Sequence, residues 1–344
     1  MITPRSYTRE WIENLEGKYD AGLAERMIMA FVLVEDLQQS GLPFVFKGGT
    51  SVSLITGSLK RFSIDIDIIV PPGLDLNSFF QKVIAKGKFS RVEEDKRKSE
   101  IPLSHFKFFF TSINGEEKYT LLDLLFDKVL YTHVNNIELK SQILDLEGPS
   151  TLICCPSPEC LLGDKLTAFA PHTIGIRYNN DKALEMAKQL FDIGTLFDCI
   201  AEPGCFFDTH EKVAAMELEY RKLAPLTTED VLRDSLNTAL MLGMRGYNYD
   251  QGEFSELSKG LQSLSSHIYT GAYTPESAIV ASSKVAYLAA LALTHNTTIN
   301  HFNRDIDLSP LHMNARNDLQ RLEKLKKSAI EAFYYFYQTL ELLG

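Results

Sequence analysis

The sequence predicts an α+β protein: a mixed sheet flanked by helices, followed by a mainly helical C-terminal domain. Three observations carry this. Short apolar runs bounded by glycine, proline and asparagine recur between residues 43 and 127. A β-hairpin is written around Ile113-Asn114-Gly115-Glu116, where Asn-Gly favours a type I′ turn. Beyond Pro158 strand-like alternation gives way to helical apolar spacing. At 344 residues the chain exceeds the usual size of one domain, and two are expected, 1–155 and 156–344, divided where LICCPSPEC brings two prolines.

Taken in order, Ala21 to Gln39 places Leu23, Met27, Phe31 and Val34 on helical spacings, and Gly41 with Pro43 supplies the stop. Pro43 to Phe46 reads as a short buried strand ending in a Gly48-Gly49 turn, after which Ser51 to Thr56 forms a helical turn or two. Ile64 to Val70 is the next strand, Leu74 to Lys86 a helix, and the charged Val92 to Lys98 an exposed edge strand or loop. HFKFFFTS and EKYTLLDLLFD form the hairpin, which sets Asp123 inside a strand. In the second half Ser157 and Pro158 suit the start of a helix running to Ala170. A polar loop follows, then helices over Asp181 to Ile200, Glu276 to Leu293 and Ala315 to Leu343, with Gly243 to Gly260 as a long connecting segment.

Composition narrows the function. Hydrophobic residues at 45% and charged residues at 23% exclude wholesale disorder. A net charge of -10 argues against a protein that coats nucleic acid nonspecifically, since such binding needs many lysines and arginines on phosphates. The polar amino terminus lacks the apolar run of a signal peptide, and no stretch reaches 18 uninterrupted apolar residues, so a cytoplasmic protein without membrane association is expected. Five cysteines without a CxxC pair suggest reduced, mostly buried thiols, and the eight histidines contain no HExxH pair.

The chemistry concentrates in KGGTSVSLITGSLKRFSIDIDIIV, residues 47–70. Residues two apart on a strand share a face, so Asp65 and Asp67 present paired carboxylates while Ile64, Ile66 and Ile68 face the core. Two such charges raise each other's pKa unless a cation joins them, and magnesium suits hard oxygen donors while leaving room for substrate phosphates. An edge strand with aspartates facing water would read the same. Glycines in a turn after a strand let backbone amides approach phosphate oxygens, and the start of the helix that follows adds its positive dipole end. Asp123 is either a third carboxylate or a solvated strand residue.

GGTSVSLITGSLKRFSIDID resembles the first motif of the AbiEii/AbiGii-type nucleotidyltransferase toxins, in which a glycine turn precedes an Arg-x-Ser-x-Asp-x-Asp strand; Arg61, Ser63, Asp65 and Asp67 match in place. LLGDKLTAFAP, TIGIRY and KQLFDIGTL are similar to the family's later motifs. The distance from the glycines to Asp65 is longer than in typical members. The resemblance implies the nucleotidyltransferase fold and transfer of NMP from an NTP to an acceptor, RNA such as tRNA or a protein, as the toxin of a toxin–antitoxin pair. It implies two Mg2+ ions on Asp65 and Asp67, with Asp123 added from strand position. Gly48, Gly49, Thr50, Arg61, Ser63, Lys165 and Lys188 would serve the nucleotide, and Asp192 the later acidic position. The helical domain would complete the cleft, and a separately encoded antitoxin would be a partner. The rival readings are an inactive nucleotide-binding module and a small-molecule nucleotidyltransferase; a plain surface position is the rival for Lys165.

Overall fold

The computed structural model describes residues 1–16, 19–96, 102–313 and 317–344. The chain forms two units, Met1–Ser157 with Ser266–Gly271, and Pro158–Ser265 with Ala272–Gly344. The first contains α1 (Arg9–Glu13), α2 (Ala21–Ser40), β1 (Val45–Lys47), α3 (Gly48–Ile55), β2 (Ile66–Val70) and α4 (Asn77–Ala85). β3 (Arg91–Glu94), β4 (Leu103–Thr111), β5 (Glu117–Phe126), β6 (Val134–Glu138) and β7 (Leu152–Pro156) follow. Five strands make a mixed sheet in the order β1-β2-β5-β4-β3, in which only β2 and β5 run parallel. β6 and β7 form a separate antiparallel pair, which the prolines of LICCPSPEC concealed in the sequence.

α2 begins where the Asp20 carboxylate accepts from the Leu23 amide and ends at Gly41, whose φ of 86° is the left-handed cap conformation. Its apolar side chains fill the core beneath Ile66, Ile68, Leu122 and Leu124. Three carboxylates on the same helix are buried, and each accepts from at least two donors, Asp36 through Oδ1 alone. Glu25 accepts from the Ile113 amide and from Lys118, Glu35 from the Ile2 amide and Thr151, and Asp36 from Lys86 and Lys88. They tie the hairpin, the amino terminus and the segment after α4 to one helix, which offsets the cost of burying them.

Two details of this unit differ from the sequence reading. The hairpin is not a type I′ turn: Gly115 has φ of 80° while Asn114 stays outside the left-handed region, and the Gly115 amide donates to Ser112. The loop is three residues with glycine at the left-handed position, and the pairing runs Thr111 with Glu117. The expected edge segment is the edge strand β3, and its far end at Lys98 lies outside the described residues.

The second unit is helical: α5 (Pro158–Ala168), α6 (Ala183–Phe197), α7 (Phe206–Tyr220), α8 (Thr228–Gly243), α9 (Gln251–Leu264), α10 (Pro275–Leu293), α11 (Leu325–Ser328) and α12 (Ile330–Leu343). The segment from Gly243 to Gly260 is not a connection but mostly α9, started by Asp250 accepting from the Glu253 amide and seated by Leu257 and Leu264. The last expected helix is broken. A 3₁₀ stretch, Asn317–Lys324, and α11 precede α12, with Ala329 at φ −151° and ψ 72° between them; Ala315 lies outside the described residues. α10 is long and apolar enough to cross a membrane, but 72% of its apolar window is buried, and it packs on α6, α8 and α12. Of the cysteines only Cys155 and Cys160 are buried and Cys199 is exposed, so the thiols are not mostly buried.

Candidate active site

Asp67 on β2 stands directly opposite Asp123 on the parallel β5. Residues paired across strands share a face, so both carboxylates rise from the face opposite Ile66, Ile68, Leu122 and Leu124. The row continues on both sides, with Lys47 of β1 opposite Asp67 and His105 of β4 opposite Asp123. Asp65 lies one residue before β2, not within it. The neighbouring β1 gives way to α3 at Gly48, and the Asp65 carbonyl accepts from the Thr50 hydroxyl at 2.6 Å instead of entering the sheet. Ile64 is correspondingly only half-buried.

The glycines do not form a turn before the helix; they are its first two residues. Gly48 has φ of 77°, and a Cβ there would sit 1.9 Å from Asp67 Oδ2. A Cβ on Gly49 would meet Arg61 Nη2 at 2.6 Å and Ser63 Oγ at 2.7 Å. The structure thus gathers Gly48, Gly49, Arg61, Ser63 and Asp67 at one point. Thr50 is fully buried, backbone included, and its hydroxyl holds the Asp65 backbone, so it supports the site from within and does not meet a ligand as the sequence suggested. Arg61 is buried as well, with Nη1 donating to the Phe62 carbonyl.

The extra length between the glycines and Asp65 is taken up by α3 and by a return arm that pairs with Ser266–Gly271. The Phe62 amide donates to His267 at 2.8 Å, the Tyr269 amide to Lys60 at 2.9 Å, and the Phe62 and Tyr269 rings meet edge to face at 5.3 Å.

Asp67 and Asp123, on facing strand positions, and Asp65, two residues before Asp67, are hard-oxygen donors of the kind a divalent cation takes. Without a side chain at Gly48, the Asp67 carboxylate lies directly against the backbone at the start of α3. In donor chemistry these residues suit such an ion.

In the second unit Lys165 of α5 and Asp192 of α6 form an ion pair at 2.7 Å, with side chains only 5% and 1% exposed. The surface reading of Lys165 is therefore overturned. Gln189 Oε1 accepts from the same ammonium at 3.3 Å. The phenol of Tyr273 is pushed above its ordinary pKa by burial and then by the charge of Asp192. Lys188 lies half-buried on α6, one turn before Asp192. Gln189 and Tyr273 were not legible as partners, because nothing in their spacing marks them.

The family model for the nucleotidyl transferase AbiEii toxin of type IV toxin–antitoxin systems matches residues 32–257. The chain belongs to this family. AbiEii membership places it in a family of nucleotidyltransferase toxins, and the matched span contains Asp65, Asp67, Asp123, Lys165, Lys188 and Asp192. No curated protein matches the chain. Among solved structures it is similar to MenT4, a nucleotidyltransferase toxin from Mycobacterium tuberculosis H37Rv, at 13% identity over 91% of this chain and 94% of that one, with a TM-score of 0.48. It is also similar to an antigenic nucleotidyltransferase-like protein from Paracoccidioides brasiliensis, at 13% identity over 60% of this chain and 92% of that one, with a TM-score of 0.38.

Proposed function

We propose that this AbiEii-family chain moves a nucleoside monophosphate from an NTP to the hydroxyl of an RNA acceptor such as the end of a tRNA. The observation that carries the reading is the register of Asp67 with Asp123, beside Asp65 and against the side-chain-free Gly48. Asp65, Asp67 and Asp123 would hold magnesium, two ions in all. When bound, the metal would neutralise phosphate charge and make the acceptor hydroxyl more acidic.

The amide of Gly49, at the positive end of α3, would bind phosphate oxygens, with Thr50 holding the Asp65 backbone behind it. Arg61 and Ser63 would support the start of α3, lying where a side chain on Gly49 would stand. Lys165, Lys188 and Asp192 keep the triphosphate and later acidic roles that the family resemblance implies. The acceptor oxygen bonds to the α-phosphorus as the bond from that phosphorus to the β-phosphate bridging oxygen breaks. Pyrophosphate leaves with the electron pair, and the hydroxyl proton passes to water.

The test is incubation with each α-labelled NTP, magnesium and total RNA, comparing wild type with Asp65→Asn and Asp67→Asn. Label on RNA should fall at least about 100-fold in both variants, the scale on which losing preorganised charge stabilisation acts. Unchanged labelling would overturn the assignment. Label in protein or metabolites instead would move the acceptor, and NTP binding without pyrophosphate release would make the chain a binding module. A separately encoded antitoxin would relieve growth arrest caused by the wild type, whereas Asp67→Asn should cause none.

A further inference from the structure

His105 belongs to no motif of the sequence, yet it lies in the row of side chains that crosses the carboxylate site. On β4 it pairs with Asp123, its residue is 8% exposed, and its Nδ1 lies 2.6 Å from Asp123 Oδ1. An ionised carboxylate can only accept, so Nδ1 must carry the proton of this bond. A neutral histidine then places its lone pair on Nε2, and the tautomer is set by Asp123.

The contact does three things to Asp123. It commits Oδ1, leaving Oδ2 as the oxygen to meet a cation. It restricts the carboxylate to one orientation beside Asp67, with which Asp123 is in register. It also provides a hydrogen bond for a carboxylate whose side chain is only 21% exposed, where an unanswered charge would be costly. Partners of metal-ligating carboxylates act in this way, and losing one typically lowers metal affinity or activity 10- to 100-fold.

We propose that His105 is the positioning residue of the third carboxylate: through Nδ1–H it holds Asp123 in the orientation that binds the divalent cation. This rests on the reading of Asp65, Asp67 and Asp123 as the metal site of a nucleotidyltransferase.

The test uses the full chain and four variants: His105→Leu, His105→Asn, His105→Gln and Asp67→Asn. Mn2+ binding is measured by isothermal titration in the presence of a non-hydrolysable NTP analogue, and kcat and KM for NTP by pyrophosphate release. An asparagine amide reaches the position of Nδ1, whereas a glutamine amide reaches that of Nε2. His105→Leu should weaken Mn2+ about 10- to 100-fold and lower kcat similarly, with KM for NTP changing less than about 2-fold. His105→Asn should recover most of both, and His105→Gln little.

If the leucine variant does not fold, the contrast between asparagine and glutamine still decides. Equal behaviour of asparagine and glutamine, or wild-type Mn2+ affinity in folded His105→Leu, overturns the role of His105. Loss of Mn2+ binding in Asp67→Asn alongside that result leaves the metal site standing. A wild type that binds no Mn2+ overturns both.

Discussion

Gly48 shows how one backbone angle can protect a carboxylate. Its φ of 77° is open to glycine at little cost, and its missing side chain is the space that Asp67 Oδ2 occupies. Gly48→Ala should cost about 1–2 kcal/mol in strain and displace the carboxylate, so pyrophosphate release should fall far more than the melting temperature. Lys165 and Asp192 pose the opposite case, a buried pair whose removal by halves is worse than its removal whole. Lys165→Met should destabilise the second unit by about 3–5 kcal/mol in denaturant titration, because it strands a buried charge. Lys165→Met with Asp192→Leu should recover most of that stability and none of the activity proposed for Lys165. Recovery of both would make the pair purely structural.

At the scale of elements, one turn decided what could be seen. A two-residue type I′ loop at Asn114-Gly115 would pair Ile113 with Glu116 and set Asp123 against Phe106. The observed three-residue loop shifts the register by one and brings His105 to Asp123. A slip of one residue exchanges the faces of a strand, so the misjudged turn hid the histidine. Helix contacts were equally silent. A Cβ on Gly260 of α9 would sit 2.0 Å from the carbonyl oxygen of Ala183, which opens α6. Backbone cannot yield as a flexible side chain does, and Gly260→Ala should cost about 1–3 kcal/mol, read as a lower denaturation midpoint with an unchanged slope.

Across the whole molecule, the chain leaves the first unit at Ser157 and returns to it only for Ser266–Gly271. Hydrogen exchange at the Tyr269 amide should therefore follow β1 and β2 rather than its sequence neighbours in α9 and α10; exchange in step with α9 would contradict this. The second unit also carries two histidines with opposite pH responses. Burial pushes His210 down to about 4 from 6.5, so its contribution to stability is present above pH 6.5 and lost as pH falls through about 4. That loss amounts to roughly 3 kcal/mol.

His172 is pulled down by burial, but hydrogen bonds from its ring to Glu253 and Asp234 raise it overall. Its stabilisation is present below 6.5 and lost as pH rises through the raised value, and it is small because the side chain is half exposed. Melting followed by circular dichroism should show both limbs, and His210→Leu should flatten only the acidic one.

By itself the sequence determined what depends on neighbours along the chain: the face of Asp67 on its strand, a short helix close after the first strand, the existence of the hairpin and the helical second half. Those follow from side-chain periods of 2 and 3.6 and from the few residues that tolerate turns. The order of motifs was enough for the AbiEii family. Tertiary structure alone decided that β2 lies beside β5, that His105 answers Asp123, that a distant hexapeptide pins the arm before Asp65, and that Lys165 is buried against Asp192. Each of these joins segments far apart in sequence, and such pairings are chosen by the packing of the whole core rather than by local preference.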